Sequence, residues 1–517
     1  MSAPTIAVTE SQPTTPLSIA WLFGGLAVLL QVALATRYGY FRDELYFLAC
    51  SDHLAAGYVD LAPLSAWLLH VNRVLLGDSL YALRLLPALA FGAEVVLSGC
   101  IARELGAQRW GIFLCCASVL SVPVFGSQAD RYSMNAFEPL FWMGCIYVLL
   151  LVLKLQKPRL LLWCGVLLGL GLENKHSTVF FLGALFIGLL LTPQRRLLAS
   201  KWLWIAAAIA LVIAVPNFLW QVQHHFPTLE DLRNVKAVHK NIELPPLPFL
   251  GAQLMMLNPL HALVWLPGLG FLLFHRKGKN FRILGFTYLA FLAVMMALRG
   301  KDYYLAPIYP MLFAAGAVLW EKLSESRPGL RWLRRAVPAT VIISGIFAAP
   351  YALPILSPDG FIAYREAVGI TPTRTETSMS GRLPEHFGDE FGWSEMVATV
   401  AGVYHSLPAE QRARTAILGG NYGEAASIDF FGARYGLPKA ISPHQNYYYW
   451  GPRGYTGESL ILLGWNVKDA QYWCGTVEEG PENAPYYGMG WEHYTILVCR
   501  DFKIPLDQAW PRLKFWN

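Results

Sequence analysis

The apolar run LSIAWLFGGLAVLLQVALA (residues 17–35) is followed within a few residues by GYFRDELYFLACSDH (residues 39–53). The first stretch is long and apolar enough to cross a bilayer as a helix. The second stretch carries an arginine and two adjacent carboxylates, Arg42, Asp43 and Glu44, where the chain leaves that bilayer. Ionisable groups near hydrocarbon are costly and often mark a functional site. The two stretches together predict a membrane helix with a candidate site at its outer end.

The composition of the whole chain is that of a membrane protein. Of its 517 residues, 55% are hydrophobic, 14% are aromatic and only 15% are charged. The mean hydropathy is +0.38. The net charge of +6 is interpreted as positive charge on cytoplasmic loops. No basic block with interleaved aromatic residues occurs, so nucleic acid is not an expected partner.

Eleven apolar stretches predict membrane-spanning helices. They lie near residues 17–36, 81–101, 110–125, 136–153, 160–172, 178–192, 202–217, 259–274, 283–298, 305–320 and 337–353. Every second loop is short and basic, which assigns these loops to the cytoplasm by the positive-inside rule. Residues 1–16 are then expected to be a disordered cytoplasmic tail, and residues 17–353 a transmembrane domain. Because the tail has no Lys or Arg, the first helix is expected to be retained rather than cleaved as a signal peptide.

Residues 354–517 are polar and rich in Gly, Pro and aromatic residues, and they predict an α/β domain outside the membrane. WSEMVATVAGVYHSLP (393–408) is typical of an amphipathic helix, and ESLILLGW (458–465) and HYTILVCRDF (493–502) of strands. TAILGGNYGEA (415–425) predicts a strand and a tight turn into a helix. A phosphate-binding loop is the alternative for its GGNYGEA segment, but the spacing of known phosphate-binding motifs is missing.

Two cysteines of this C-terminal part, Cys474 and Cys499, are expected to form a disulfide in an oxidising compartment. Two separate buried thiols are the alternative. Five other cysteines fall in apolar segments and are interpreted as small buried hydrophobic residues.

The first outer loop, residues 37–80, has apolar residues at helical spacing on both sides of a Gly57–Pro63 bend. It predicts two helices lying along the membrane interface, with Asp43 and Glu44 opening the first. Carboxylates at a helix N-terminus are stabilised by the helix dipole by about 0.3–1 kcal/mol each. The helix dipole is thus one explanation of the acidic pair, and a catalytic role is the other.

A set of motifs resembles the bacterial relatives of the protein O-mannosyltransferases, glycosyltransferase family 39 in the broad sense. The motifs are the Asp-Glu pair after the first helix, GYVDLAPL (57–64), RLLPALAFGA (84–93), ARELG (102–106), SMNAFEPLFW (133–142), GLGLENKHS (169–177), PNFLWQ (216–221) and KDYYLAPIYP (301–310). The resemblance covers about residues 37–320. It implies a GT-C fold in a bacterial inner membrane, with the active site on the outer face and a polyprenyl-phosphate sugar as donor.

The resemblance also implies roles for individual residues. Asp43 matches the first acid of the family motif and is the candidate general base. Glu44, about 100° away on the helix, is the second candidate and orients a neighbour or binds a cation. The other candidates for binding the donor phosphate and the substrates are Arg42, Asp60, Arg131, Glu138, Lys175, His176, Lys301, Tyr303 and Tyr304. For each cation, an anchoring role at the membrane interface is the alternative.

Two departures from the family pattern limit what the resemblance implies. Asn135 stands where relatives often carry Asp, which weakens any prediction of a metal ligand there. Leu61-Ala62-Pro63 replaces the Lys-Pro-Pro of aminoarabinose transferases, which argues against that sugar. The neighbouring His224 and His225 have no zinc-type spacing. A divalent cation is possible as a cofactor, but nothing in the sequence requires one.

The predicted function is transfer of a sugar from a polyprenyl phosphate to a glycan, lipid or protein acceptor at the membrane. A transporter or lipid flippase is the first alternative, although charged residues gather at one face and no internal repeat is found. A membrane-anchored binding protein that acts through residues 354–517 is the second. It leaves the acidic pair unexplained.

Overall fold

A computed structural model describes residues 16–370, 376–377 and 381–517. The predicted disordered tail, residues 1–16, lies outside this part apart from its last residue. Helices make up nearly all of the membrane part. They are α1 (Ser18–Leu34), α2 (Arg42–Asp52), α3 (Pro63–Leu76), α4 (Leu80–Leu105), α5 (Arg109–Ser121), α6 (Pro123–Ala129), α7 (Met134–Leu155), α8 (Leu161–Asn174), α9 (Thr178–Leu190), α10 (Lys201–Gln223), α11 (Pro227–Ala237), α12 (Pro246–Met256), α13 (Ala262–Phe274), α14 (Arg282–Leu298), α15 (Tyr309–Ser326) and α16 (Leu333–Ala348).

Each of the eleven predicted spans falls on one of these helices. Within the described residues, six helices are long and apolar enough to cross a membrane, and nine spans result if three bent pairs are each counted as one. The other two predicted spans correspond to α1 and α8, of 17 and 14 residues. The prediction of a polytopic helical membrane protein is thus confirmed.

The outer loop contains the two expected helices, α2 and α3. The bend between them ends at Pro63, the first residue of α3, where a missing N–H is tolerated. At the start of α2, the side chain of Glu44 accepts a hydrogen bond from the Phe41 N–H at 2.9 Å. This bond satisfies one of the free N–H groups at the helix start and fixes the direction in which α2 begins.

The C-terminal part is an α/β structure, as the sequence predicts. Its elements are α17 (Pro358–Val368), α18 (Glu385–Gly388), α19 (Trp393–Ser406), α20 (Ala409–Arg412), β1 (Thr415–Gly419), α21 (Tyr422–Phe431), α22 (Tyr447–Trp450), β2 (Ser459–Leu463), α23 (Val467–Trp473), β3 (Cys474–Asn483), β4 (Tyr494–Phe502) and α24 (Leu506–Leu513). The sheet has the order β1-β2-β4-β3, with β1 and β2 parallel and β4 antiparallel to both its neighbours.

One hydrophobic core joins the outer loop to this sheet. Leu45 and Leu48 of α2 belong to the same buried cluster as Ile417 of β1 and Ile461 of β2. Full burial of a Leu or Ile side chain contributes about 1.5–3 kcal/mol. The N-terminus of α2 is therefore held against the C-terminal part by packing.

The expected cysteine pair is bonded. Cys474, the first residue of β3, and Cys499 of β4 form a disulfide with an S–S distance of 2.08 Å. Five of the six free cysteines are buried, and Cys100 is partly exposed. The disulfide ties β3, an edge strand with exposed acidic residues, to the centre of the sheet.

Candidate active site

Asp43 lies in the first turn of α2 and keeps part of its carboxylate open to solvent. Its side chain is 38% exposed. Its Oδ1 atom accepts a hydrogen bond from the Tyr422 hydroxyl at 2.7 Å, and the Nε atom of Arg42 lies 3.7 Å from the same oxygen. An accessible carboxylate with one oxygen held in place can accept a proton from a bound hydroxyl.

Glu44, the adjacent carboxylate, has the opposite environment. It is fully buried, and besides the Phe41 N–H it accepts hydrogen bonds from Arg84 Nε at 2.9 Å, Arg84 Nη2 at 2.7 Å and the Tyr132 N–H at 2.8 Å. Both of its oxygens are thus occupied. This geometry favours the orienting role considered for Glu44 and leaves no room for direct contact with a substrate.

Arg84 is the centre of a buried group of charges, which we call the arginine–carboxylate cluster: Glu44, Arg84, Asp130, Arg131 and Glu390. Arg84 Nη2 lies 3.1 Å from Glu390 Oε2. Arg131 lies 3.6 Å from both Asp130 and Glu390. Burial raises the pKa of Glu390 to about 8, against the opposing charges of the two arginines. Arg131, a predicted phosphate ligand, is therefore already paired and mostly buried.

Arg42 connects the membrane part to the C-terminal part. Its guanidinium lies 3.4 Å from Asp389 Oδ2 and between the rings of Tyr422 and Trp491, at 5.4 and 5.3 Å from their centres. Burial lowers the pKa of Arg42, but the charge of Asp389, together with Tyr422, Asp43 and Glu385, outweighs this effect and the net pKa is raised. Arg42 therefore stays cationic beside Asp43.

Asp60 lies in the same neighbourhood as Asp43. Its Oδ1 atom accepts hydrogen bonds from the Tyr46 hydroxyl at 2.8 Å and from Asn446 Nδ2 at 3.4 Å. Burial, and then the charge of Asp231, raises the pKa of Asp60 to about 7. The ring of Tyr46 stacks on that of Tyr422 at 4.5 Å, so one pair of tyrosines reaches both aspartates.

A second group of predicted residues surrounds Lys175. Its Nζ atom donates to Asn135 Oδ1 at 2.8 Å and to Glu138 Oε2 at 2.9 Å. The same atom lies 4.7 Å from the ring centre of Tyr304 and 5.6 Å from that of Tyr303. The ion pair explains how α7 tolerates a carboxylate near its start. A lysine with short bonds to one carboxylate and one amide, facing two aromatic rings, can bind a phosphate or a sugar.

Lys301 and His176 have partners that the sequence did not indicate. Lys301 Nζ lies 2.9 Å from Glu376 Oε1, and His176 Nε2 lies 2.9 Å from Asn217 Nδ2. Burial and the charge of Glu376 raise the pKa of Glu385. Arg42 and Lys301 act in the opposite direction, and Asp43 raises this pKa further. Lys301 and Asp43 are therefore both among the charges that act on Glu385.

Sequence reasoning missed Arg84 and Asp130 of the membrane part. It also missed five residues of the C-terminal part: Glu376, Glu385, Asp389, Glu390 and Tyr422. The acidic run EHFGDE (385–390) and the GGNYGEA turn were the available signals. Within the described residues, no group of three or more His, Cys, Asp or Glu side chains could hold a metal ion. His224 stacks on Trp220 at 4.0 Å.

Comparison with known proteins supports the resemblance found in the sequence. Residues 60–220 match the family described as dolichyl-phosphate-mannose-protein mannosyltransferase. The lipid A galacturonosyltransferase RgtD of Rhizobium johnstonii is 27% identical over 233 residues, which are 44% of this chain and 48% of RgtD. The lipopolysaccharide core galacturonosyltransferase RgtB of the same organism is 29% identical over 227 residues, or 42% of this chain and 46% of RgtB. The chain thus matches about half the length of these curated relatives.

The fold is shared over nearly the whole chain with a solved structure. The crystal structure of ArnT from Cupriavidus metallidurans bound to undecaprenyl phosphate matches with a TM-score of 0.60 at 12% identity, over 93% of this chain and 98% of that chain. The GT-C fold that the sequence implied is therefore present. Asp43 lies just before the residues that match the mannosyltransferase family.

Proposed function

We propose that this chain is a membrane glycosyltransferase that moves a sugar from a polyprenyl-phosphate donor to an acceptor hydroxyl. The observation that carries the proposal is the solvent-accessible carboxylate of Asp43 at the outer end of the first span. This carboxylate lies beside the cation Arg42 and the aromatic residue Tyr422. The named relatives are transferases of sugars to lipid A and lipopolysaccharide, and the ArnT structure contains undecaprenyl phosphate. These relatives favour an enzyme over a transporter or a flippase.

The chemistry follows from the roles of the side chains. Asp43 takes the proton of the acceptor hydroxyl while that oxygen attacks the anomeric carbon of the donor sugar. A new bond forms between the acceptor oxygen and the anomeric carbon, and the bond from that carbon to the phosphate oxygen breaks. Polyprenyl phosphate leaves, and the configuration of the anomeric carbon is inverted. Cations at the site, with Lys175 and Lys301 as candidates, stabilise the negative charge of the departing phosphate.

The aromatic rings beside Lys175 have a role in the same scheme. Tyr303 and Tyr304 face its ammonium group and offer flat surfaces to a sugar ring or to a prenyl chain. The acceptor is a glycan, a lipid or a protein of the cell envelope.

A strain lacking the gene provides the test of the reaction. We expect the polyprenyl-phosphate sugar to accumulate because its consumer is absent, and a plasmid copy of the wild-type gene to restore the normal level. Mass spectrometry of extracted lipids measures both. An unchanged pool of lipid-linked sugar, with lipids redistributed between the two leaflets, would instead support a flippase.

We also propose that the site and the C-terminal part face the outside of the bacterial inner membrane and that the N-terminus lies in the cytoplasm. The basic loop HRKGKNFR (275–282) is then cytoplasmic, and RNVKAVHK (233–240) is outside. The disulfide in the C-terminal part suits an oxidising compartment.

Single cysteines at two exposed positions test this orientation. In a Cys100→Ser background, which removes the partly exposed thiol, we expect an impermeant thiol reagent to label Lys236→Cys but not Lys279→Cys in intact cells. Permeabilised cells, in which both positions should react, are the control. Labelling of position 279 alone in intact cells would reverse the orientation and move Asp43 to the cytoplasmic face.

A further inference from the structure

We infer that Tyr422 of the C-terminal part is a positioning residue for Asp43, and that the GGNYGEA turn (residues 419–425) delivers its hydroxyl to that carboxylate. The inference rests on the proposed function, because it assigns a role in preparing the proposed base. Asp43 and Tyr422 are 379 residues apart in sequence and are joined by a hydrogen bond of 2.7 Å.

The ring of Tyr422 is held from both sides. It stacks on Tyr46 at 4.5 Å with an interplanar angle of 28°, and on His444 at 5.0 Å with an angle of 18°. Its backbone N–H donates to His444 Nδ1 at 3.1 Å. A ring fixed between two others, with its backbone also anchored, presents its hydroxyl in one direction. The bond to Asp43 is therefore part of a rigid arrangement.

The direction of the hydrogen bond is set by the protonation of the phenol. Burial and the Asp43 carboxylate raise the pKa of Tyr422 well above its ordinary value, against the charge of Arg42. The hydroxyl therefore keeps its proton and donates it to Asp43 Oδ1. No other hydrogen bond to the Asp43 side chain occurs within the described chain, so its Oδ2 atom remains available to an acceptor hydroxyl.

The local sequence of the turn explains how Tyr422 reaches this place. Asn421 caps α21 by accepting from the N–H groups of Gly423 at 2.8 Å and Glu424 at 3.1 Å, and Glu424 accepts in return from the Asn421 N–H at 3.1 Å. This capping box fixes Tyr422 as the first residue of the helix.

Gly423 allows the close approach between the two parts. A Cβ atom at this position would lie 2.5 Å from Cγ of Arg42. Any larger residue would push α21 away from α2. The turn that resembles a phosphate loop in sequence thus serves to bring one tyrosine to one aspartate.

Tyr422→Phe tests the inference, because it removes the hydroxyl and keeps the ring. With purified protein and a lipid-linked sugar donor, we expect turnover to fall about 10- to 100-fold, as for loss of a hydrogen bond to a charged group. The loss is expected in kcat, with KM for the lipid-linked donor unchanged, because the cations proposed to hold the donor phosphate are not altered. A purely structural role would lower the fraction of folded enzyme, and kcat per folded molecule would stay normal.

Tyr404→Phe is the matched control. Its hydroxyl donates to the Arg412 carbonyl at 3.1 Å in the same C-terminal part, away from Asp43. We expect its kcat and KM to equal those of the wild type. If Tyr422→Phe does not fold, Gly423→Ala keeps the hydroxyl but displaces the turn, and the same loss in kcat is expected.

The outcomes separate this inference from the proposed function. A normal kcat in both Tyr422→Phe and Gly423→Ala, with Asp43→Asn inactive, would overturn the role of Tyr422 and leave the transferase assignment standing. Full transfer activity in Asp43→Asn would instead remove the proposed base, and with it the basis for a positioning residue.

Discussion

Replacement of Asp43 by asparagine is expected to lower sugar transfer by about 10²- to 10⁴-fold, the usual contribution of a general base. The amide has nearly the same shape as the carboxylate but cannot take a proton from the acceptor. Donor binding should persist, because the cations proposed to hold the phosphate are unchanged. Turnover of purified protein at matched concentration, with donor binding measured separately, tests both expectations.

Asp52→Asn is the matched control for this experiment. Asp52 lies at the other end of α2, and its half-exposed carboxylate forms an ion pair with Arg73 at 2.6 Å. Surface ion pairs contribute about 0–1 kcal/mol, so this change should leave the rate near normal. Near-normal transfer by Asp43→Asn would contradict the assignment and leave the helix-dipole explanation for both N-terminal acids.

Replacement of Arg84 by methionine is expected to destabilise the protein by about 3–5 kcal/mol, because it leaves buried carboxylates without their partner. Arg84 is almost fully buried and bonds to both Glu44 and Glu390. Tryptophan fluorescence during heating in detergent would record the loss as a lower Tm.

Arg103→Met, at the other end of α4, is the comparison. Its partner Glu104 lies 3.3 Å away and both side chains are partly exposed. We expect the Tm of Arg103→Met to be close to that of the wild type. An unchanged Tm in Arg84→Met would show that the arginine–carboxylate cluster is not needed to hold the two parts together.

The sequence predicted the membrane helices because each has its own apolar run, and it predicted α2 and α3 because their apolar residues recur at helical spacing. It also indicated different roles for Asp43 and Glu44, since neighbouring positions on a helix point in different directions. Which of the two faces inward could not be read, because the answer depends on Arg84, whose side chain reaches back from the next long helix.

The sequence analysis also missed β3 and the contact between Tyr422 and Asp43. β3 was missed because it is an edge strand with the polar sequence CGTVEEGPEN, which lacks the apolar alternation of a buried strand. The contact between Tyr422 and Asp43 depends on the docking of two distant segments. A tyrosine in a glycine-rich turn carries no sign of such a partner.

The core shared by α2 and the C-terminal sheet has a consequence for biosynthesis. Leu45 and Leu48 emerge from the ribosome long before Ile417 and Ile461, which bury them in the finished protein. The 379 residues between Asp43 and Tyr422 take about 20–80 s to translate at about 5–20 residues per second. During that time α2 lacks the part of its core that the C-terminal sheet supplies. A chain truncated before its last quarter is then inserted in the membrane without the residues that complete the candidate site around Asp43.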